Sequence, residues 1–293
     1  MQDQRVYIVS QVIRYIEDNL HDRLDLDMVA AALHYSKYHL HRIFKNTAGL
    51  SIHDYVRRRQ LTEAARLLVF SGKPVIEIAL ISGYRSQQAF TDIFKAMYKV
   101  SPARFREMGG FYPLQLEMHL KEKPVGMDFT KDSIKFATSA DVDAWMELVR
   151  LTVDGYPRLD EAEYKDKLHQ YIADSKALIL RDEEMAAGIM GFSRDTGNID
   201  FLAVHPQYRH TGVTELFLGK IMDGLSCGKE ISVTTYRTGD KADTGYREEY
   251  RRIGFAEKEL LVEYGYPVQR LVLSPENKEV KVSNGGNTNK SFS

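Results

Sequence analysis

The sequence is short of several things, and each shortage excludes something. One cysteine, Cys227, in 293 residues rules out a disulfide framework and a cysteine-based zinc site, and suits a reducing compartment. No run approaches the length and apolarity of a membrane span, and the start (Met1-Gln2-Asp3-Gln4-Arg5) lacks the pattern of a signal peptide, so a cytoplasmic chain with no membrane partner is expected. An excess of either charge is also missing, with a net of −1. What remains, 28% charged and 43% hydrophobic with 20 Gly and 8 Pro, is ordinary soluble composition. The length favours two domains, each able to bury its own core.

The near-zero net charge hides a split. Residues 1–108 carry 16 basic against 11 acidic side chains, which leaves 24 against 30 in the remainder. A basic front and an acidic back suggest a nucleic-acid module joined to something else.

The front third reads as helical throughout. Val9, Val12, Ile13, Ile16 and Leu20 recur at spacings of three and four, which predicts a first helix burying one stripe. Asp25 or Asp27 caps a second helix and Ser36 a third. A long helix is expected from about Ser51 to Phe70, then Val75–Ile81, then one after Ser86. An internal repeat runs through them. Ser36-Lys37-Tyr38-His39-Leu40-His41-Arg42-Ile43-Phe44-Lys45 aligns with Ser86-Gln87-Gln88-Ala89-Phe90-Thr91-Asp92-Ile93-Phe94-Lys95 at an offset of fifty, and Ser51/Ser101 and Tyr55/Phe105 continue it. The apolar positions agree and the outward ones differ, which suits two readers of different surfaces; repetition alone suits a scaffold equally.

Gly109 to Gly126 breaks the periodicity and reads as a linker. From Ile134 onward strand and helix patterns alternate: strands at Ile134–Phe136, Ala177–Leu180, Ala186–Phe192, Ile199–Val204, Ile231–Tyr236, Leu260–Tyr264 and Arg270–Leu273, with helices between. The polar stretch 275–293 is expected to be disordered.

A helix-turn-helix needs a supporting helix, a turn and a recognition helix whose first turn faces the major groove. Ala30 to Ser36 and Ala79 to Ser86 supply that order twice, with Gly83 allowing a turn one residue longer. The twenty-residue helix between them spans about 30 Å, near the roughly 34 Å between successive major grooves on one face. At Tyr35–Lys45, Gly83–Phe90 and Val100–Arg106 the sequence resembles the AraC/XylS regulators, and within them the small two-unit type of the Mar–Sox–Rob group. The resemblance covers about residues 5–107. It implies base contacts from Tyr38, His41 and Arg42 in one unit and from Gln87, Gln88 and Thr91 in the other, with Lys37, Arg57, Arg58, Lys95 and Arg104 on phosphates. Asp92 departs from the basic residue usual there, and His39 reads as a packed histidine.

In the back half an apolar strand ends at Val204-His205-Pro206, and a basic turn with Gly212 opens a helix, a pattern able to cradle phosphate on free amides. The stretch resembles the Gcn5-related N-acetyltransferases (GNAT), whose pyrophosphate turn would stand here as Arg209-His210-Thr211-Gly212-Val213-Thr214; Tyr250–Phe255 and Ile134–Asp141 look like further family segments. The resemblance implies acetyl-CoA or another acyl-CoA held by residues 209–214, with Leu202 or Val204 polarising the thioester, Tyr250 as acid and Asp200 as base. Thr214, in place of a small residue, and the negative Glu215 depart from the pattern.

The expectation is therefore a multidomain chain: an all-α double helix-turn-helix domain over 1–108, a linker over 109–131, and an α/β GNAT-like mixed-sheet domain over 132–274. The function it implies is a transcription regulator of double-stranded DNA whose back domain binds acyl-CoA or a small-molecule effector, with RNA polymerase a candidate partner and no metal. The alternatives are a bifunctional protein that also acetylates a small amine acceptor, and a back domain used only for interaction.

Overall fold

The computed structural model describes residues 2–120, 129–152, 160–209, 211–224, 229–263 and 265–274. The expected tail at 275–293 lies outside them.

Seven helices build the front domain: α1 Gln2–Asp18, α2 Leu26–Ala32, α3 Lys37–Ala48, α4 Ile52–Phe70, α5 Val75–Ile81, α6 Gln87–Tyr98 and α7 Pro102–Met108. The serines of the repeat explain its regularity. Ser36, Ser51, Ser86 and Ser101 each sit just before a helix and accept a hydrogen bond from the amide three residues on, which satisfies a donor that the helix cannot. Helix α7, which the periodicity left undetected, is the counterpart of the start of α4, with Ser101 and Phe105 repeating Ser51 and Tyr55.

Each repeat encloses its own core, and α4 serves both. Its first half places Ile52, Tyr55 and Val56 among Val9, Val12, Ile16, Leu40 and Phe44. Its second half places Leu61, Ala64, Ala65 and Leu68 among Ile78, Phe90, Phe94 and Phe105. One rod seated in two cores fixes the spacing of the two units.

Part of the expected linker belongs to this domain. Tyr112 and Leu114 are buried in the second core and Met118 in the first. The chain runs antiparallel along α4, where the Thr62 hydroxyl accepts from the amides of Leu114 (3.0 Å) and Gln115 (3.2 Å). Rather than tethering loosely, residues 109–120 clamp the rod.

The back domain is a seven-stranded sheet in the order β1-β2-β3-β4-β5-β7-β6. The strands are β1 Ile134–Phe136, β2 Ala177–Asp182, β3 Met185–Ser193, β4 Asn198–Val204, β5 Ile231–Tyr236, β6 Ala256–Glu263 and β7 Tyr266–Leu273. One face carries α8 Val142–Thr152 and α9 Glu161–Ala173 around Trp145 and Val149; the other carries α10 Val213–Asp223 and α11 Tyr246–Ile253 around Phe217 and Tyr250. β6 and β7 run longer than expected and form a hairpin. All pairings are antiparallel except β4 with β5, which pair only at Asn198↔Ser232 and Ile199↔Val233. Beyond those residues the two strands part, and a gap opens in the middle of the sheet. Among the described residues no helix is long and apolar enough to cross a membrane.

Candidate functional site

The first turns of α3 and α6 stand at the surface of the molecule. On α3, Leu40, Ile43 and Phe44 face the core, while Lys37, Tyr38, His41, Arg42 and Lys45 are exposed, Tyr38 at 81%. On α6, Phe90, Phe94 and Met97 face inward, Gln87, Gln88, Asp92 and Lys95 are exposed, and Thr91 is half-buried. The outward positions of both helices follow the same helical spacing, so each unit presents one polar stripe.

Within those stripes some side chains are already engaged. Gln88 donates to Asp92 at 2.9 Å, so the acid of the second unit orients one of its amides. Lys37 pairs with Asp27 at 3.1 Å, and its ammonium lies 5.8 Å from the Tyr38 ring. Arg57, at the start of α4, lies 3.6 Å from Asp54 and 3.0 Å from the His53 ring; burial and this arginine lower the His53 pKa. His39 stacks on Tyr35. Arg104 is exposed and bonds Glu107.

Arg58 stands elsewhere than expected. The resemblance places it on phosphate, yet it is 2% exposed and donates to the carbonyls of Ala242 (2.5 Å) and Leu114 (3.4 Å). It lies on the inward face of α4 with Tyr55 and Thr62, beneath the clamp and against the back domain.

The two domains meet at the far ends of α3 and α6. Helix α3 ends at Gly49 in the left-handed conformation (φ +76), and a Cβ there would lie 2.7 Å from Cδ of Arg209. Helix α6 ends at Lys99, also left-handed (φ +64). Its ammonium bonds Asp240 at 2.5 Å and lies 5.6 and 5.8 Å from the rings of Tyr236 and Tyr266. The local sequence carried no sign of these partners.

The parted β4 and β5 enclose a cavity of about 440 Å³ lined by Asp200, Leu202, Tyr236, Tyr246, Tyr250 and Tyr266, among others. Asp200 and Tyr250, expected as base and acid, therefore share one cavity. Asp200 accepts from Tyr171 (2.8 Å) and Asn198 (2.7 Å). Burial, with Tyr246 and Glu249 alongside, pushes the Tyr250 hydroxyl far above the ordinary phenol range, so it keeps its proton. Val204 pairs with Gly188 at the end of β4 and is buried.

The turn expected to cradle a pyrophosphate is a poor fit for one. Gly212 (φ +85) and the exposed Thr211 leave the backbone open, and Val213 is buried. Arg209, however, is 7% exposed, turned toward Gly49, and stacked 4.9 Å from the Tyr246 ring. The Thr214 hydroxyl donates to Glu249 at 2.6 Å, and Glu215 pairs with Arg252 at 2.9 Å. Two carboxylates stand at this helix start, Glu215 already paired with Arg252, and they offset the attraction that the helix dipole offers an anion. His210 lies outside the described residues. No group of side chains suited to a metal occurs among the described residues.

A helix-turn-helix domain family matches residues 29–108. The transcriptional activator AarP of Providencia stuartii is 41% identical over 99 residues, covering 34% of this chain and 73% of that protein. The chain belongs to the AraC-type helix-turn-helix family. Within the AraC-type family, the multiple antibiotic resistance protein MarA of Salmonella typhimurium is 39% identical over 98 residues, 33% of this chain and 77% of MarA. Both likenesses fall on the AraC-type front domain. For the back domain, a GNAT-family acetyltransferase structure from Bacillus cereus aligns at 12% identity with a TM-score of 0.38, covering 48% of this chain and 95% of that one. A likeness that slight leaves the back domain's family unassigned.

Proposed function

We propose that this protein is a sequence-specific regulator of transcription that lays α3 and α6 in successive major grooves of double-stranded DNA, and that its back domain binds a small-molecule effector in the cavity between β4 and β5. The observation that carries the reading is the pairing of two serine-capped helices, alike inside and different outside, on one rod shared by two cores. At 19 residues the rod is about 28 Å long, close to one duplex repeat. Tyr38, His41 and Arg42 read one groove and Gln87, Gln88 and Thr91 the next, with Lys37, Arg57, Lys95 and Arg104 on phosphates. RNA polymerase is the natural further partner of such a regulator.

Selection of bound duplexes from a random pool, followed by footprinting, tests this. Two protected segments about 10 base pairs apart are expected; a single segment, or no enrichment, overturns it.

The bifunctional reading, with acyl transfer to an amine, has one observation in its favour: Asp200 and Tyr250 border the same cavity. Glu215 and Glu249 oppose the cofactor's pyrophosphate, Arg209 is turned away toward Gly49, and no transfer step is assigned.

A further inference from the structure

A second cavity lies between the two domains and shares no lining residue with the first. It measures about 620 Å³, within the range of sites for drug-sized molecules. Leu148 and Leu151 of α8 and Met185 of β3 form an apolar floor, Leu116 of the clamp adds to it, and Arg59 and Glu63 of α4 stand at one wall. Leu151 packs against both the first front core and the α8 side of the back domain, so the floor is continuous across the boundary.

The charge around this floor is lopsided. Arg59 is neutralised by Glu17, with contacts of 2.8 and 2.7 Å, and by Glu63 at 3.4 Å. Arg150 is held by Glu161 through two bonds of 2.8 and 2.7 Å. Both cations are thus paired, and the rim carries two more carboxylates, both exposed: Glu117, and Glu147, which also acts on Arg150. An apolar floor under an acidic rim rejects anions, wastes the floor on hydrophilic cations, and complements a greasy body bearing a positive charge.

We infer that the crevice between α4, the 109–120 clamp and α8 is a binding site for a lipophilic organic cation. Its walls come from both domains, so an occupant stabilises their docked arrangement in proportion to its affinity. The site stands whether or not the DNA reading above holds, and its test reads binding directly.

The probe is tetraphenylphosphonium, titrated calorimetrically into the full chain at about pH 8. Tetraphenylborate is its counterpart of like shape and opposite charge. One phosphonium per chain is expected, with the borate at least about tenfold weaker. The double variant Glu117→Lys/Glu147→Lys changes only exposed positions and should weaken the phosphonium by about tenfold or more. Ala144→Phe, which fills the crevice, should abolish binding of either ion; should that variant fail to fold, the charge reversal alone decides. Equal affinity for the two ions, unaltered affinity in the charge-reversed variant, or loss in Asp200→Asn instead would each overturn the assignment.

Discussion

Gly49 and Lys99 stand at the same place in the two halves of the front domain, fifty residues apart, and each touches the back domain. Both end a recognition helix in the left-handed conformation. Gly49 receives the stem of Arg209, and Lys99 reaches Asp240 between two tyrosines that also line the β4–β5 cavity. The back domain thus holds both helices from behind and leaves their capped starts exposed. Tyr236 and Tyr266 thus border both the cavity and the end of α6, and Arg209 borders the end of α3.

Gly49→Ala should destabilise the chain by about 1–2 kcal/mol from the left-handed backbone alone, and by more where the new methyl meets Arg209. In an Arg209→Ala background only the backbone part should remain. Urea unfolding measures both; an identical cost in the two backgrounds would show that the contact is absent.

Lys99→Ala should cost about 2 kcal/mol, the range of a hydrogen bond to a charged partner. Combined with Asp240→Ala, the two losses should fall short of additivity by at least about 0.5 kcal/mol. Strict additivity in that double-mutant cycle would separate the two residues energetically.

Arg42→Ala and Lys95→Ala should fail differently on DNA. Loss of Arg42 should cost about 1–3 kcal/mol on a selected duplex and far less on a scrambled one. Loss of the lysine should weaken both duplexes alike and lower the salt slope by about one. Titrations at several salt concentrations distinguish the patterns, and equal loss on both duplexes for Arg42→Ala would reduce it to a backbone contact.

Acetyl-CoA should leave the melting temperature of the unmodified chain where it is. A ligand at about 100 times its dissociation constant adds roughly 2.7 kcal/mol, a shift that scanning calorimetry resolves easily. Glu215→Gln with Glu249→Gln removes the two opposing carboxylates and should bring any cofactor affinity into range. A clear shift in the unmodified chain would contradict the misfit of the cradle.

Much of the front domain is legible from short-range pattern. Ser36 and Ser86 announce the recognition helices because a cap acts on an amide three residues away, and Leu40, Phe44, Phe90 and Phe94 announce the core because a helix repeats every 3.6 residues. Helix α7 was not expected, although the match of Ser101 and Phe105 to Ser51 and Tyr55 carried its signal. The strand and helix order of the back domain follows from the same local periods, although the long β6–β7 hairpin exceeds them because its outer strand is largely exposed and lacks a clean alternation.

The partners of the seam left no such trace. Arg58 looks like any basic residue of a nucleic-acid module, and only the register it shares with Tyr55 and Thr62 marks it as inward; what covers it, the Ala242 carbonyl, lies 184 residues away. Arg209 likewise carries the look of an anion ligand, and the docking of two surfaces turned it to Gly49 instead. From its sequence alone, then, this protein's front helices, caps, repeat and outward faces were determined, since each depends on neighbours a few residues apart. Its tertiary structure decided which charges are buried, where the domains touch and which cavities exist, because those depend on surfaces that meet only after each half has folded.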